Sequence, residues 1–388
     1  MDSFESLASL GDQMSEMPGY QGLPETESYR HVRERQKTEQ AIRDHEGDEA
    51  AQIEEIAKRR GYFRGTGPAV GIVDSYIRGD IDVHEAVRQI AEPIEYAYVT
   101  ADGGRRFVHA EQVARRQRPY WSAEEAAERW GLEDDLDELQ KRVSDSDDAP
   151  TVEGQLWDLY YTILHASKKM PWRDEAAQQK LLDLMAALKA RPDPPFPANM
   201  SIPLKRSWIY TWSGLWSDMC MFGPSARETW NDCPGAGAGW YPPEISAWTN
   251  VNAFVARLTA QKIFDLAMYG TWALHQALEE KIYTNPYPHN LDHSKAYKAE
   301  LLFEVAAVWI RLAGQSILDY TTREPDEEEK TQSKRPTDPK WPKWQKRFEE
   351  EAAKDQYSPK VTAVAKECAE IMSRISAQAE ELQKQTIK

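Results

Sequence analysis

Cysteine is scarce in this chain of 388 residues: Cys220, Cys233 and Cys368 are the only three. No two of them stand in Cys-x-x-Cys spacing, which argues against a disulfide framework and against a structural zinc site. Positive charge is in deficit too, 48 Lys plus Arg against 64 Asp plus Glu, for a formal net charge of -16. That sign disfavours a phosphate backbone or an anionic bilayer as a partner, so neither nucleic acid nor membrane is expected. Long apolar runs are also missing. Residues 305–310 are bracketed by Glu304 and Arg311, far short of the roughly 20 apolar residues that span a bilayer. The start, Met1-Asp2-Ser3-Phe4-Glu5, is acidic and leads into no signal-peptide core. The expected location is the cytoplasm or the nucleus.

What the chain does contain is tryptophan. There are 14, although the mean hydropathy of -0.71 is that of a strongly polar chain. Ten of the 14 fall between Trp157 and Trp309, while the polarity is concentrated in the first 60 residues and after Tyr320. The composition therefore resolves into a tryptophan-stapled core with polar ends.

Periodicity makes that core helical. Ile53, Ile56 and Ala57 recur at helical spacing, as do Val73, Tyr76 and Ile77, then Val83, Ala86, Val87 and Ile90. Gly61 and Gly79 provide stops between them. Residues 96–109 read as a hairpin around Ala101-Asp102-Gly103-Gly104 or as a loop. Residues 244–283 hold no proline and one glycine, Gly270, and read as one long central helix, apolar nearly all round. The predicted fold is all-α, an irregular multi-helix bundle around that buried helix. Residues 1–45 form a disordered acidic arm and 46–320 the core, with a sub-boundary near 144–150. Residues 321–342 are a charged linker and 343–388 charged C-terminal helices. The last helix has a narrow apolar side of Ala363, Val364, Cys368, Ile371, Met372 and Ile375. It either packs on its own domain or docks on a protein partner.

Two stretches carry a family resemblance. Residues 214–232 read GLWSDMCMFGPSARETWND and residues 247–259 read AWTNVNAFVARLT. The Arg227-Glu228-Thr229-Trp230 element, and a helix start with Trp248, Asn250, Asn252, Phe254, Ala256 and Arg257, resemble the fungal family called domain of unknown function 3632. The resemblance spans about residues 65 to 320. It implies a helical protein with no established activity, and it transfers no catalytic residue.

Candidate sites follow from residue chemistry. Arg257, Gln261 and Asp265 drift round one side of the central helix, with Trp272, His275 and Glu279 continuing the stripe. An arginine in an apolar helix needs an acceptor. Arg257 and His275 therefore line an anion or polar-ligand pocket, or Arg257 forms a structural pair with a carboxylate such as Glu228. Trp208, Trp212 and Trp216 stand four apart, as an aromatic platform or, more simply, as core. Trp216, Arg227, Trp230, Trp248, Arg257 and His275 make up the candidate ligand-binding set. His289, Asp292 and His293 could contribute to a metal site, but they follow two prolines in a polar stretch and read as a solvated turn. Gly235-Ala236-Gly237-Ala238-Gly239 resembles a phosphate loop but lacks its Lys-Ser/Thr, and Trp240-Tyr241-Pro242-Pro243 follows. No metal and no cofactor is implied.

No nucleophile elbow is present, and neither Cys220 nor Cys233 has a nearby histidine in sequence. The expectation is a non-enzymatic helical interaction or scaffold protein with a partner at its C-terminal helix. The alternative is a small-molecule-binding protein or enzyme with an aromatic pocket containing Arg257.

Overall fold

A computed structural model describes residues 27–100, 151–195, 214–282, 294–323, 340–354 and 357–386. Among these the regular structure is α-helical: α1 Glu27–Asp44, α2 Glu49–Arg60, α3 Pro68–Arg78, α4 Val83–Thr100, α5 Val152–Lys168 and α6 Glu175–Lys189. They are followed by α7 Phe222–Thr229, α8 Pro242–Ala260, α9 Ala267–Leu278, α10 Lys295–Thr322, α11 Lys340–Ala352 and α12 Pro359–Thr386. The all-α expectation holds.

Local chemistry sets several of the boundaries. Asp48 caps α2 by accepting from the Ala51 amide at 3.0 Å, and Gly61 ends that helix at φ 70, a left-handed conformation that costs glycine little. Pro242 stands in the first turn of α8, and Glu244 reaches back to the Tyr241 amide at 3.3 Å. Ser294 caps α10 through the Tyr297 amide.

The chain divides into two compact units. The first comprises Met1–Tyr62, Lys168–Asp174 and Asp232–Lys388. In it, α8 and α9 both pack against α10, α12 lies along α10, and α11 packs on α12. Phe254, Phe303, Trp309, Trp341, Trp344 and Phe348 are fully buried there. Where α9 meets α10 the two run very close: a Cβ on Gly270 would come within 2.8 Å of Trp309 and of Ile317.

The second unit comprises Phe63–Ser167 and Glu175–Asn231. Its helices α3, α4 and α6 pack on one another, and the Tyr76 hydroxyl donates to the Lys180 carbonyl at 3.0 Å. Arg191 pairs with both Glu95 oxygens, and the Trp216 indole donates to Glu95 at 2.9 Å. Burial alone would raise the Glu95 pKa, but these hydrogen bonds and the arginine charge hold it below the usual carboxylate value.

Several expectations are corrected. Within the span read as a disordered acidic arm, Glu27–Asp44 is helical. Val32, Thr38 and Ala41 are buried, and Arg59 of α2 bonds Asp44 at 2.6 Å. The helix looked solvated because so few of its residues are apolar, and it is packing against α2 that holds it.

The central helix is two helices. After Ala260 the chain turns through Lys262 at φ 56, the Thr259 hydroxyl accepts from the Leu266 amide at 3.1 Å, and Asp265 accepts from the Ala267 amide at 2.9 Å. These side-chain bonds compete with the helix ladder, so Gln261 and Asp265 do not continue the stripe of Arg257.

Residues 96–100 belong to α4 and are not a strand. The rest of that expected hairpin, the 144–150 boundary, Trp208, Trp212, His289, Asp292 and His293 lie outside the described residues. Helix α10 exceeds what residues 305–310 foretold: it is long and apolar enough to cross a bilayer, and 61% of its most apolar window is buried inside the protein.

The apolar side of α12 is Val361, Val364, Ala365, Cys368, Ala369 and Met372, while Ala363 is exposed. That side packs on α10 and α11 of its own unit.

Candidate functional site

Two of the residues that carried the family resemblance in α8, Asn250 and Arg257, act as a clamp. Asn250 is 3% exposed; its Oδ1 accepts from the Trp172 amide at 2.8 Å, and its Nδ2 donates to the Lys168 carbonyl at 2.9 Å. One turn pair further on, Arg257 Nη2 donates to the Trp172 carbonyl at 2.8 Å. Positions i and i+7 share a helix face, so α8 holds both backbone polar groups of Trp172. Side chains fasten the rest of the segment. Lys168 pairs with Asp232 at 2.8 Å, both nearly buried, and Lys169 pairs with Glu54 at 2.9 Å.

A cleft of about 330 Å³ opens over this clamp. Its walls include Trp172 and Arg173 from the segment, Ser246 and Asn250 from α8, Glu49 from α2 and Glu304 from α10. The Arg173 guanidinium stacks over the Trp172 ring at 4.1 Å and pairs with Glu304 at 2.9 Å. Glu49 accepts from the Ser246 hydroxyl at 2.8 Å, and Lys360 stands at the rim, 3.7 Å from Glu300.

A second polar cluster is built where α2 ends. Arg60 Nη2 and the Tyr62 hydroxyl converge on the Gly237 carbonyl at 3.0 and 3.2 Å, and Tyr62 also meets Glu244 at 2.8 Å. Burial, reinforced by the Glu244 charge, pushes the Tyr62 phenol well above its usual pKa, so it stays neutral. This cluster explains the glycine-rich loop. The Gly235 amide donates to Ala238, the Ala236 and Ala238 amides donate to Cys233, and the group offered to Arg60 is a carbonyl. A phosphate cradle needs amides pointing outward; here three of them are spent within the loop.

The six sequence-nominated residues divide between the units. Trp216, Arg227 and Trp230 lie in the second. There Trp216 is fully buried, Trp230 half-buried and Arg227 exposed. Trp248, Arg257 and His275 lie in the first, with Trp248 and Arg257 buried on α8 and His275 half-exposed on α9. Arg257 and Trp248 do not line the cleft, which Arg257 supports from behind through Trp172. Sequence reasoning missed Trp172, Lys168 and Asp232. The signal available for the clamp was Asn250 itself, one of two amides, with Asn252, in the apolar stretch that leads to Arg257.

The outward face of α9 is the other feature of note. Met268 and Trp272 are 38% and 47% exposed, four residues apart, with His275 and Gln276 continuing the face. Tyr269 meets the Trp272 ring edge-on at 4.8 Å. His275 lies 3.7 Å from both Glu279 and Glu280.

Nucleophilic chemistry finds little support among the cysteines. Burial pushes the Cys368 thiol up to about 12 and raises that of Cys233, and a thiol so held is a poor source of thiolate. Among the described residues no three His, Cys, Asp or Glu side chains are grouped to hold a metal ion.

No curated protein and no solved structure matches the chain. Residues 160–348 match the family described as "Protein of unknown function (DUF3632)". The match begins later and ends later than the motifs suggested, leaving out α3 and α4 and taking in most of α11. The family that Arg227-Glu228-Thr229-Trp230 and the α8 motif resembled is therefore the one whose model residues 160–348 match.

Proposed function

We propose that this is a non-enzymatic helical interaction protein whose docking face is the outer side of α9. The observation that carries the reading is the exposed pair Met268 and Trp272 on one face of a helix whose other face is packed on α10. A half-exposed tryptophan four residues from an exposed methionine offers an apolar anchor, and tryptophan is among the side chains most enriched at interface hot spots. The partner has a matching apolar side chain, followed by basic residues. Its basic end faces Glu280, which is 52% exposed at the close of the stripe, and the overall charge of -16 steers such a segment in. The C-terminal helix is a weaker docking element, because its apolar side is used within its own unit.

A photo-crosslinking residue at Gln276 in cells would identify the partner, which is then purified and titrated against the full chain. Trp272→Ala should weaken that complex at least tenfold, a hot-spot-sized loss, with α-helical circular dichroism unchanged. Equal affinity for the wild type and the Trp272→Ala variant would overturn the proposal.

A further inference from the structure

Arg173 fills part of the cleft from within. Its guanidinium stacks on the Trp172 ring at 4.1 Å and bonds Glu304 at 2.9 Å, yet its side chain is 69% exposed while that of Glu304 is only 12% exposed. The slot around it is rigid. Trp172 is fixed through its amide by Asn250 and through its carbonyl by Arg257. Glu304 also faces Arg311, whose own guanidinium is 5.7 Å from the same ring and is tied to Glu367. An indole face beside a carboxylate is the arrangement that receives a planar cation, by cation–π attraction and charge-assisted hydrogen bonding. The occupant already present is only lightly held, since an exposed ion pair contributes little.

We propose that the cleft is a binding site for an alkylguanidinium, the arginine side chain of a partner protein, and that Arg173 occupies it as a displaceable plug. Further carboxylates stand nearby: Glu49 lines the same cleft, accepting from Ser246, and Glu300 lies one helical turn before Glu304, 3.7 Å from Lys360. The volume of about 330 Å³ stands at the low end of small-molecule pockets and is ample for one long side chain. A protein source is favoured over free arginine because the slot already accommodates an arginine flanked by peptide bonds. The α9 reading is independent of this one, and either can fail alone.

The test uses the full chain and isothermal titration with three probes: N-acetyl-arginine methylamide, N-acetyl-lysine methylamide and free L-arginine. Removing the plug by Arg173→Ala should tighten binding of the capped arginine about tenfold, because an internal competitor for the slot is gone. The capped lysine should bind more weakly, lacking the planar fork. Adding Glu304→Gln to Arg173→Ala should abolish the gain. If that double variant fails to fold by circular dichroism, Trp172→Leu with Arg173→Ala replaces it, with the same loss expected. Equal binding by wild type and Arg173→Ala, or a gain that survives loss of Glu304 or Trp172, would overturn the site. Tighter binding of free arginine than of the capped form would overturn the protein partner.

Discussion

Asn252 accepts the indole N–H of Trp309 at 2.8 Å, with both side chains almost completely buried between α8 and α10. The amide of Asn252 also donates to the Trp248 carbonyl at 2.9 Å, so one polar side chain satisfies two tryptophans. Replacing Asn252 with Leu strands the Trp309 donor in an apolar setting, which costs about 1–3 kcal/mol. Trp309→Phe in the same background removes the stranded group and should recover part of that loss. Urea unfolding of the two single variants and the double variant measures this coupling, and strict additivity would mean that the bond contributes nothing.

The same interface depends on Gly270. A methyl there would press on Trp309 and on Ile317 at 2.8 Å, and neither can retreat from a packed core. Gly270→Ala should therefore destabilise by about 1–3 kcal/mol despite the better helix propensity of alanine. The sign of the change in urea midpoint decides it: a stabilised variant would mean that α9 and α10 separate freely.

Glu279 links α9 to α11, accepting from Lys343 and from the buried Trp344 indole at 2.6 Å each. Burial alone would raise its pKa; the two hydrogen bonds and the Lys343 charge lower it below 4.5. A carboxyl depressed in the folded state contributes stability that is fully present above its unfolded pKa and is lost as pH falls through the folded value. Wild type should therefore exceed Glu279→Gln in stability at pH 7 by about 1 kcal/mol, with the gap closing below pH 4.5. A gap unchanged at pH 3 would contradict the assignment.

The helices were readable because Ile53, Ile56 and Ala57, and then Val73, Tyr76 and Ile77, recur with helical period and Gly61 and Gly79 mark the stops. The break after Ala260 was not. No proline or glycine signals it, and it arises from Thr259 and Asp265 bonding backbone amides, a competition that periodicity does not register. Helix α1 was hidden for the opposite reason, since its few buried residues gain their value from packing on α2. At the site, Arg257 was singled out correctly as a buried cation, but its acceptor is the carbonyl of Trp172, 85 residues away in sequence. A backbone acceptor leaves no trace in composition, and so Trp172 and the cleft above it went unseen.

Lys168 and Asp232 form a buried pair at 2.8 Å, 64 residues apart, with side chains only 6% and 7% exposed. Breaking such a pair costs more than the pair contributes, because the survivor keeps its charge without its partner. Asp232→Ala should destabilise by about 3–5 kcal/mol, whereas Lys168→Met with Asp232→Leu should come within about 1 kcal/mol of the wild type. The contrast between these two unfolding curves separates a desolvated pair from a solvated one, since a solvated pair would leave all the variants alike. Lys168 begins the segment that carries Trp172. The single Asp232→Ala variant should therefore also weaken capped-arginine binding in the Arg173→Ala background, while the apolar double variant retains it. If binding follows charge at position 168 and ignores stability, the pair acts on the ligand directly and its anchoring role is wrong.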